Sequence, residues 1–161
     1  MNEKYKIGMR TVKTAIAVFV CLIISFVFHR SNAFYSCIAT VVCIQPTYTK
    51  TLSLGVHRLI GTGVGGLIGY IVLEFTTLIP YYSDGLYLII IPIFLILSIY
   101  LCNIINRKDA TSICCIVFLS IVANSNRDIA HTLMYVIDRM IDTSIGVVVA
   151  MIVNRFCIQK K

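Results

Sequence analysis

Two arginines in this sequence stand in matched company. Arg58, Thr62, Gly65 and Gly69 recur at i, i+4, i+7 and i+11, and Arg139, Thr143, Gly146 and Ala150 repeat that pattern. On an α-helix such spacing makes a single stripe, so each guanidinium heads a row of hydroxyl and small groups. Guanidinium and ammonium groups only donate hydrogen bonds, which suits an anion, while small residues let a second backbone come close. Gly61, Gly65 and Gly69 also form two successive G-x-x-x-G steps, and together with Gly146 and Ala150 they read as helix-packing positions. Asp138 and Asp142 lie one turn apart, and Asp142 follows Arg139 by three residues, so an intrahelical pair would lessen the cost of placing that carboxylate among apolar residues. They are the candidate coupling or gating acids, structural pairing being the other reading. Nearer the start, Arg10, Thr14, Ala17, Cys21 and Ser25 form a further stripe with Lys13 beside it, suited to a helix contact or to the cytoplasmic mouth of a pore. The candidate anion path is therefore Arg58, Arg139, Arg10, Lys13, Thr62 and Thr143.

Other chemistry lacks its residues. No nucleophile is spaced for a base, and the run from Gly61 to Gly69 is no phosphate-binding loop. Cys21, Cys37, Cys43, Cys102, Cys114, Cys115 and Cys157 fall in or beside apolar runs without a C-x-x-C pair, as small hydrophobes do. His29, His57 and His131 are scattered and read as interfacial, and Asn103, Asn106, Asn124 and Asn126 read as helix caps. The expectation is a protein that is not an enzyme and has no cofactor and no metal.

The elements that must carry these residues follow from composition. Of the 161 residues 58% are apolar and only 13% charged, and the mean hydropathy is +0.90. A soluble domain of this size leaves about a third of its surface exposed, so lipid must cover the remainder. The net charge of +7 lies between apolar runs and at both ends, which excludes a nucleic-acid surface and sets membrane orientation instead. Apolar runs at about 14–28, 33–44, 54–75, 86–105, 110–123 and 133–158 predict an all-α polytopic membrane bundle of six segments. The second and fifth are too short to cross a hydrocarbon layer of about 30 Å. With the N-terminus cytoplasmic, 11 Lys and Arg fall inside, and Arg30, Arg127 and Arg139 outside. Both termini are then cytoplasmic, in a plasma (inner) membrane of bacterial type. The basic start, the first apolar run and Ser31-Asn32-Ala33 also resemble a secretory signal, but its removal would reverse this bias, so the first run is taken as a retained span.

His57-Arg58-Leu59-Ile60-Gly61-Thr62 superposes on Asp138-Arg139-Met140-Ile141-Asp142-Thr143 at a shift of 81 residues, which also brings the short second segment onto the short fifth. The chain thus reads as one transmembrane domain, 1–161, containing repeats at about 7–76 and 86–158. An odd number of crossings in each half makes this an inverted 3+3 repeat, an architecture of transporters.

Arg10-Thr11-Val12-Lys13-Thr14-Ala15, Gln45-Pro46-Thr47, Arg58-Leu59-Ile60-Gly61-Thr62 with its glycine ladder, and Asp138-Arg139-Met140-Ile141-Asp142-Thr143 with Gly146 together resemble the membrane domain of the aromatic acid exporter family. That family lies within the fusaric-acid-resistance-like superfamily, which is also similar to the aluminium-activated malate channels of plants. The resemblance spans nearly the whole chain. It implies a six-helix unit, paired as a homodimer in the bilayer, that exports small organic, aromatic acid anions. Many relatives carry a soluble helical domain after this part. The competing expectation is a non-transporting membrane scaffold or partner subunit, in which the glycines only mate helices.

Overall fold

The computed structural model describes residues 9–30, 33–77, 84–124 and 129–156. Among them are six helices, α1 (Met9–Val27), α2 (Ala33–Cys43), α3 (Tyr48–Thr77), α4 (Asp84–Ile104), α5 (Thr111–Asn124) and α6 (Ile129–Phe156), with a 3-10 turn at Lys108–Ala110 and no strand. Every apolar run is a helix, and four begin earlier than their apolar stretch, α1 at Met9, α3 at Tyr48, α4 at Asp84 and α6 at Ile129. Lys, Arg and Thr can continue a helix while long basic side chains reach toward water. His57 and Arg58 consequently lie well inside α3 rather than at its start.

Among the described residues two helices are long and apolar enough to cross a membrane by length and composition, at Arg10–Val27 and Tyr48–Thr76. With 11 and 14 residues, α2 and α5 extend about 17 and 21 Å. The 30 residues of α3 and the 28 of α6 extend about 45 and 42 Å, more than a hydrocarbon layer requires.

The chain divides into two compact units, one of Met1–Val56 with Asp142–Lys161, the other of His57–Ile141. In unit one, α1 packs on α2 through small residues. Lys13, Ala17, Cys21 and Ser25 are buried on α1, and Ser36, Ala39, Thr40 and Cys43 on α2. Steps of four residues follow one ridge of a helix surface. That ridge runs through Lys13; Arg10, which the sequence assigns to the stripe, is exposed. Gly146 of α6 rests directly on the Ser36 carbonyl, and a methyl there would also meet Ala39 Cβ at 2.6 Å. Thr40 Oγ1 lies 2.9 Å from the Ser36 and Gly146 carbonyl oxygens and 3.0 Å from Cys21 Sγ, joining three helices. The opposite side of α1 exposes Phe19, Leu22, Ile23 and Phe26, an apolar face suited to lipid.

Unit two is built likewise. α4 packs on α5, and α5 receives the glycine ladder of α3. A methyl added to Gly61 would stand 2.6 Å from the Ala110 carbonyl oxygen, Gly65 lies against the Cys114 carbonyl, and a methyl added to Gly69 would stand 3.1 Å from Ile121 Cβ. Ile68, Val72, Phe118 and Val122 close a core with Ile90, Ile91, Phe94 and Leu95 of α4. Leu73, Val117 and Ile121 pack against Tyr135 and Val136 of α6.

α1 and α4 end identically. His29 and Asn106 take positive φ of 49° and 56°, the left-handed residue of a Schellman turn. Arg30 N donates to the Ser25 carbonyl at 3.0 Å and His29 N to that of Phe26 at 3.2 Å; Arg107 N donates to the Cys102 carbonyl at 3.2 Å and Asn106 N to that of Asn103 at 3.0 Å. Each turn is followed immediately by an arginine, Arg30 or Arg107.

Gly65→Ala is expected to lower stability in detergent by about 1–3 kcal/mol, because a methyl would press on the rigid α5 backbone. Gly63→Ala meets only the flexible Met140 Cε at 3.7 Å and is expected to change it by less than about 0.5 kcal/mol. Thermal unfolding of the two purified variants makes the comparison.

Candidate functional site

The polar groups of unit one gather at two places. At the first, the Lys13 side chain leaves α1 and its Nζ lies 3.3 Å from Asn154 Oδ1 on α6. Asn154 Nδ2 donates to the Gln45 carbonyl at 3.0 Å and to Thr51 Oγ1 at 2.8 Å. Gln45 N also donates to Thr51 Oγ1, at 3.1 Å. The break after α2, marked in the sequence by Gln45-Pro46, thus turns its free backbone groups toward side chains of α3 and α6 instead of water. Lys13 is 8% exposed and Thr51 0%. Among the described residues no three His, Cys, Asp or Glu side chains are arranged to hold a metal ion.

At the second place, Arg30 Nε and Asp142 Oδ1 form a 2.8 Å ion pair. Spacing on α6 points to Arg139 beside Asp142; the Arg30 pair joins positions 112 apart in the sequence and is invisible to helical periodicity. The Schellman turn brings it there, and Ser25 Oγ steadies the turn by donating to the Arg30 carbonyl at 3.2 Å. Arg30 keeps some access to water, whereas Asp142 is buried.

In unit two, Arg107 Nη1 lies 3.1 Å from His57 Nε2. A guanidinium can only donate, so Nε2 accepts and the ring hydrogen sits on Nδ1, which faces Asp109 Oδ2 at 3.7 Å. His57 is buried. Arg139 is also buried, at 6% exposure, with its guanidinium carbon 5.7 Å from the centre of the Tyr135 ring one turn earlier, within cation–π range.

The remaining candidates take varied positions. Thr62 and Thr143 are buried, Arg58 is half-buried, and Arg10 and Asp138 are exposed. Gly61, Gly65, Gly69, Gly146 and Ala150 are all buried. Cys21, Cys43, Cys102 and Cys114 are buried free thiols, Cys37 and Cys115 partly so, and Cys157 lies outside the described residues. So do Asn126, the side chains of Asn124 and His131, and Arg127. Of the asparagines proposed as caps, Asn106 occupies a helix end through its own backbone. Spacing did not single out Asn154, Thr51 or Gln45. The signal that could have done so is an amide, Asn154, inside an apolar run.

A family model described as aromatic acid exporter family member 1 matches residues 5–157. The match covers nearly the whole chain of apolar helices, and the chain belongs to the aromatic acid exporter family. It is also 33% identical over 95 residues to the uncharacterized protein YqjA of Bacillus subtilis (strain 168), a match covering 59% of this chain. The matched region is 30% of the relative's own length.

Asp142→Asn is expected to cost about 2 kcal/mol, below the roughly 3–5 kcal/mol of a fully buried pair because Arg30 stays partly solvated. Adding Arg30→Gln to it should cost less than the two single changes together, a coupling read from a double-mutant cycle of thermal unfolding.

Proposed function

We propose that this chain is a multi-pass plasma-membrane domain that moves small organic, aromatic acid anions outward. The carrying observation is that cationic side chains are buried in an apolar helix bundle, Lys13 in unit one and Arg139 in unit two. Burying such groups among apolar helices costs several kcal/mol unless something polar or anionic meets them. Family membership adds that such proteins export, and makes transport rather than catalysis the activity to test. In this reading Arg58, Arg139, Arg10 and Lys13 supply positive potential along the path, Thr62 and Thr143 supply hydroxyls, and Asp142 with Asp138 supplies coupling or gating.

An inverted repeat, 7–76 on 86–158, suits such a path and has support from two devices that occur once in each unit. An arginine following a Schellman turn reaches the third helix of the other half, Arg30 to Asp142 on α6 and Arg107 to His57 on α3. A glycine of each third helix lies on the short helix of the other half, Gly146 on α2 and Gly65 on α5. With both termini cytoplasmic and two protomers paired, the positive-inside count is satisfied.

Purified protein in liposomes loaded with benzoate is expected to release it, and Arg58→Gln or Arg139→Gln to slow release about tenfold or more while inserting normally. Undiminished release from both variants would remove the arginines from the mechanism. Absence of release by the unaltered protein, across a panel of aromatic and aliphatic acids, would favour the scaffold reading.

A further inference from the structure

We propose that Lys13 and Thr51, held by Asn154, form a binding site for a single carboxylate group. The proposal deepens the exporter reading and rests on it for its physiological meaning. It is carried by an inventory of hydrogen-bonding capacity at this buried cluster. Asn154 uses both amide hydrogens, on the Gln45 carbonyl and on Thr51 Oγ1. Thr51 Oγ1 accepts twice, from Asn154 and from Gln45 N, which fills the two lone pairs of a hydroxyl. Among the described residues its own hydrogen has no acceptor. Lys13 commits one of its three ammonium hydrogens, to Asn154 Oδ1, and among the described residues no carboxylate lies within ion-pair distance of its Nζ. A second lone pair on Asn154 Oδ1 aside, the unused capacity of these three side chains is donor only and carries a positive charge. A buried group with spare donors and an uncompensated charge is costly. An anion removes both costs together.

Shape selects a carboxylate among anions. Lys13 Nζ and Thr51 Oγ1 are held by the two ends of one planar amide, Oδ1 and Nδ2 of Asn154. A carboxylate is a planar group of the same dimensions, so its two oxygens can span the same pair of groups, one accepting from Lys13 and the other from Thr51. A spherical halide is a single acceptor centre and lacks the paired oxygens that match the two ends of the amide.

The cluster also lacks a counterpart. The arginine after a Schellman turn and the glycine seated on a short helix occur in both units, as devices that build the fold should. Among the described residues Lys13 is the sole buried lysine, so its burial is not something the architecture repeats.

The test uses the full chain in lipid nanodiscs, with benzoate as the probe and chloride and neutral benzyl alcohol as comparisons at constant ionic strength. Benzoate is expected to bind saturably by calorimetry and to raise the melting temperature of the unaltered protein, with chloride and benzyl alcohol doing neither. Lys13→Met should weaken benzoate binding about tenfold or more, Thr51→Val should weaken it severalfold, and Thr51→Ser, which keeps the hydroxyl, should retain it. Benzoate binding unchanged in Lys13→Met, or chloride stabilising the unaltered protein as well as benzoate does, would overturn the proposal; the second result needs no variant to fold. Release of benzoate from liposomes separates the site from the exporter reading. Lys13-dependent binding without release by the unaltered protein leaves the site standing and removes transport. Release and binding that both persist in Lys13→Met remove the site and leave transport standing.

Discussion

Helices in lipid gain little by hiding apolar side chains from one another, because the surrounding acyl chains are just as apolar. What holds such helices together is close contact, and this chain secures it by laying glycines against backbone. Gly146 rests on the Ser36 carbonyl, Gly65 on that of Cys114, and Gly61 comes close to that of Ala110. At those separations dispersion forces act along whole helix faces, and a hydroxyl such as that of Thr40 can reach carbonyls of two helices. Many bulky apolar residues are turned outward, Phe19 and Phe26 on α1 and Leu88 and Ile96 on α4 being exposed.

Short helices follow from the same constraint. α2 and α5 need only be long enough to offer a backbone surface to the small residues of α6 and α3. Their ends leave polar main-chain groups that cannot go unpaired in an apolar setting. Unit one answers this at the end of α2 by bonding the Gln45 carbonyl and amide to Asn154 and Thr51. A polar network thereby arises beside Lys13 for reasons of backbone satisfaction, and the buried cation is what gives it chemical meaning. Arg30 and Arg107 show the complementary device, in which a tight helix end aims a long cationic side chain at a buried acceptor, Asp142 or His57.

Within the aromatic acid exporter family these features make a coherent physical picture. The buried Lys13 ammonium meets a neutral amide, and the half-buried Arg30 guanidinium meets a carboxylate. A cation held by a neutral partner keeps its field, whereas one neutralised by a carboxylate is committed to structure. Lys13, bonded to an amide, and Arg30, bonded to Asp142, represent the two cases.

The sequence by itself determined that the chain is helical and where its helices lie, because apolar runs and their breakers are local and survive any packing. It also marked the glycine ladder and the matched stripe on α6, since helical spacing assigns residues of one helix to one face. It could not determine who meets whom between helices. The Arg30–Asp142 pair and the Lys13–Asn154–Thr51 cluster join residues far apart in the chain, and periodicity along a helix carries no information about its neighbour. Only the tertiary structure decided these contacts, through two helix ends whose left-handed residues turn the chain so that the following arginine reaches inward, and through glycines that fix which helices come close enough for their polar groups to meet.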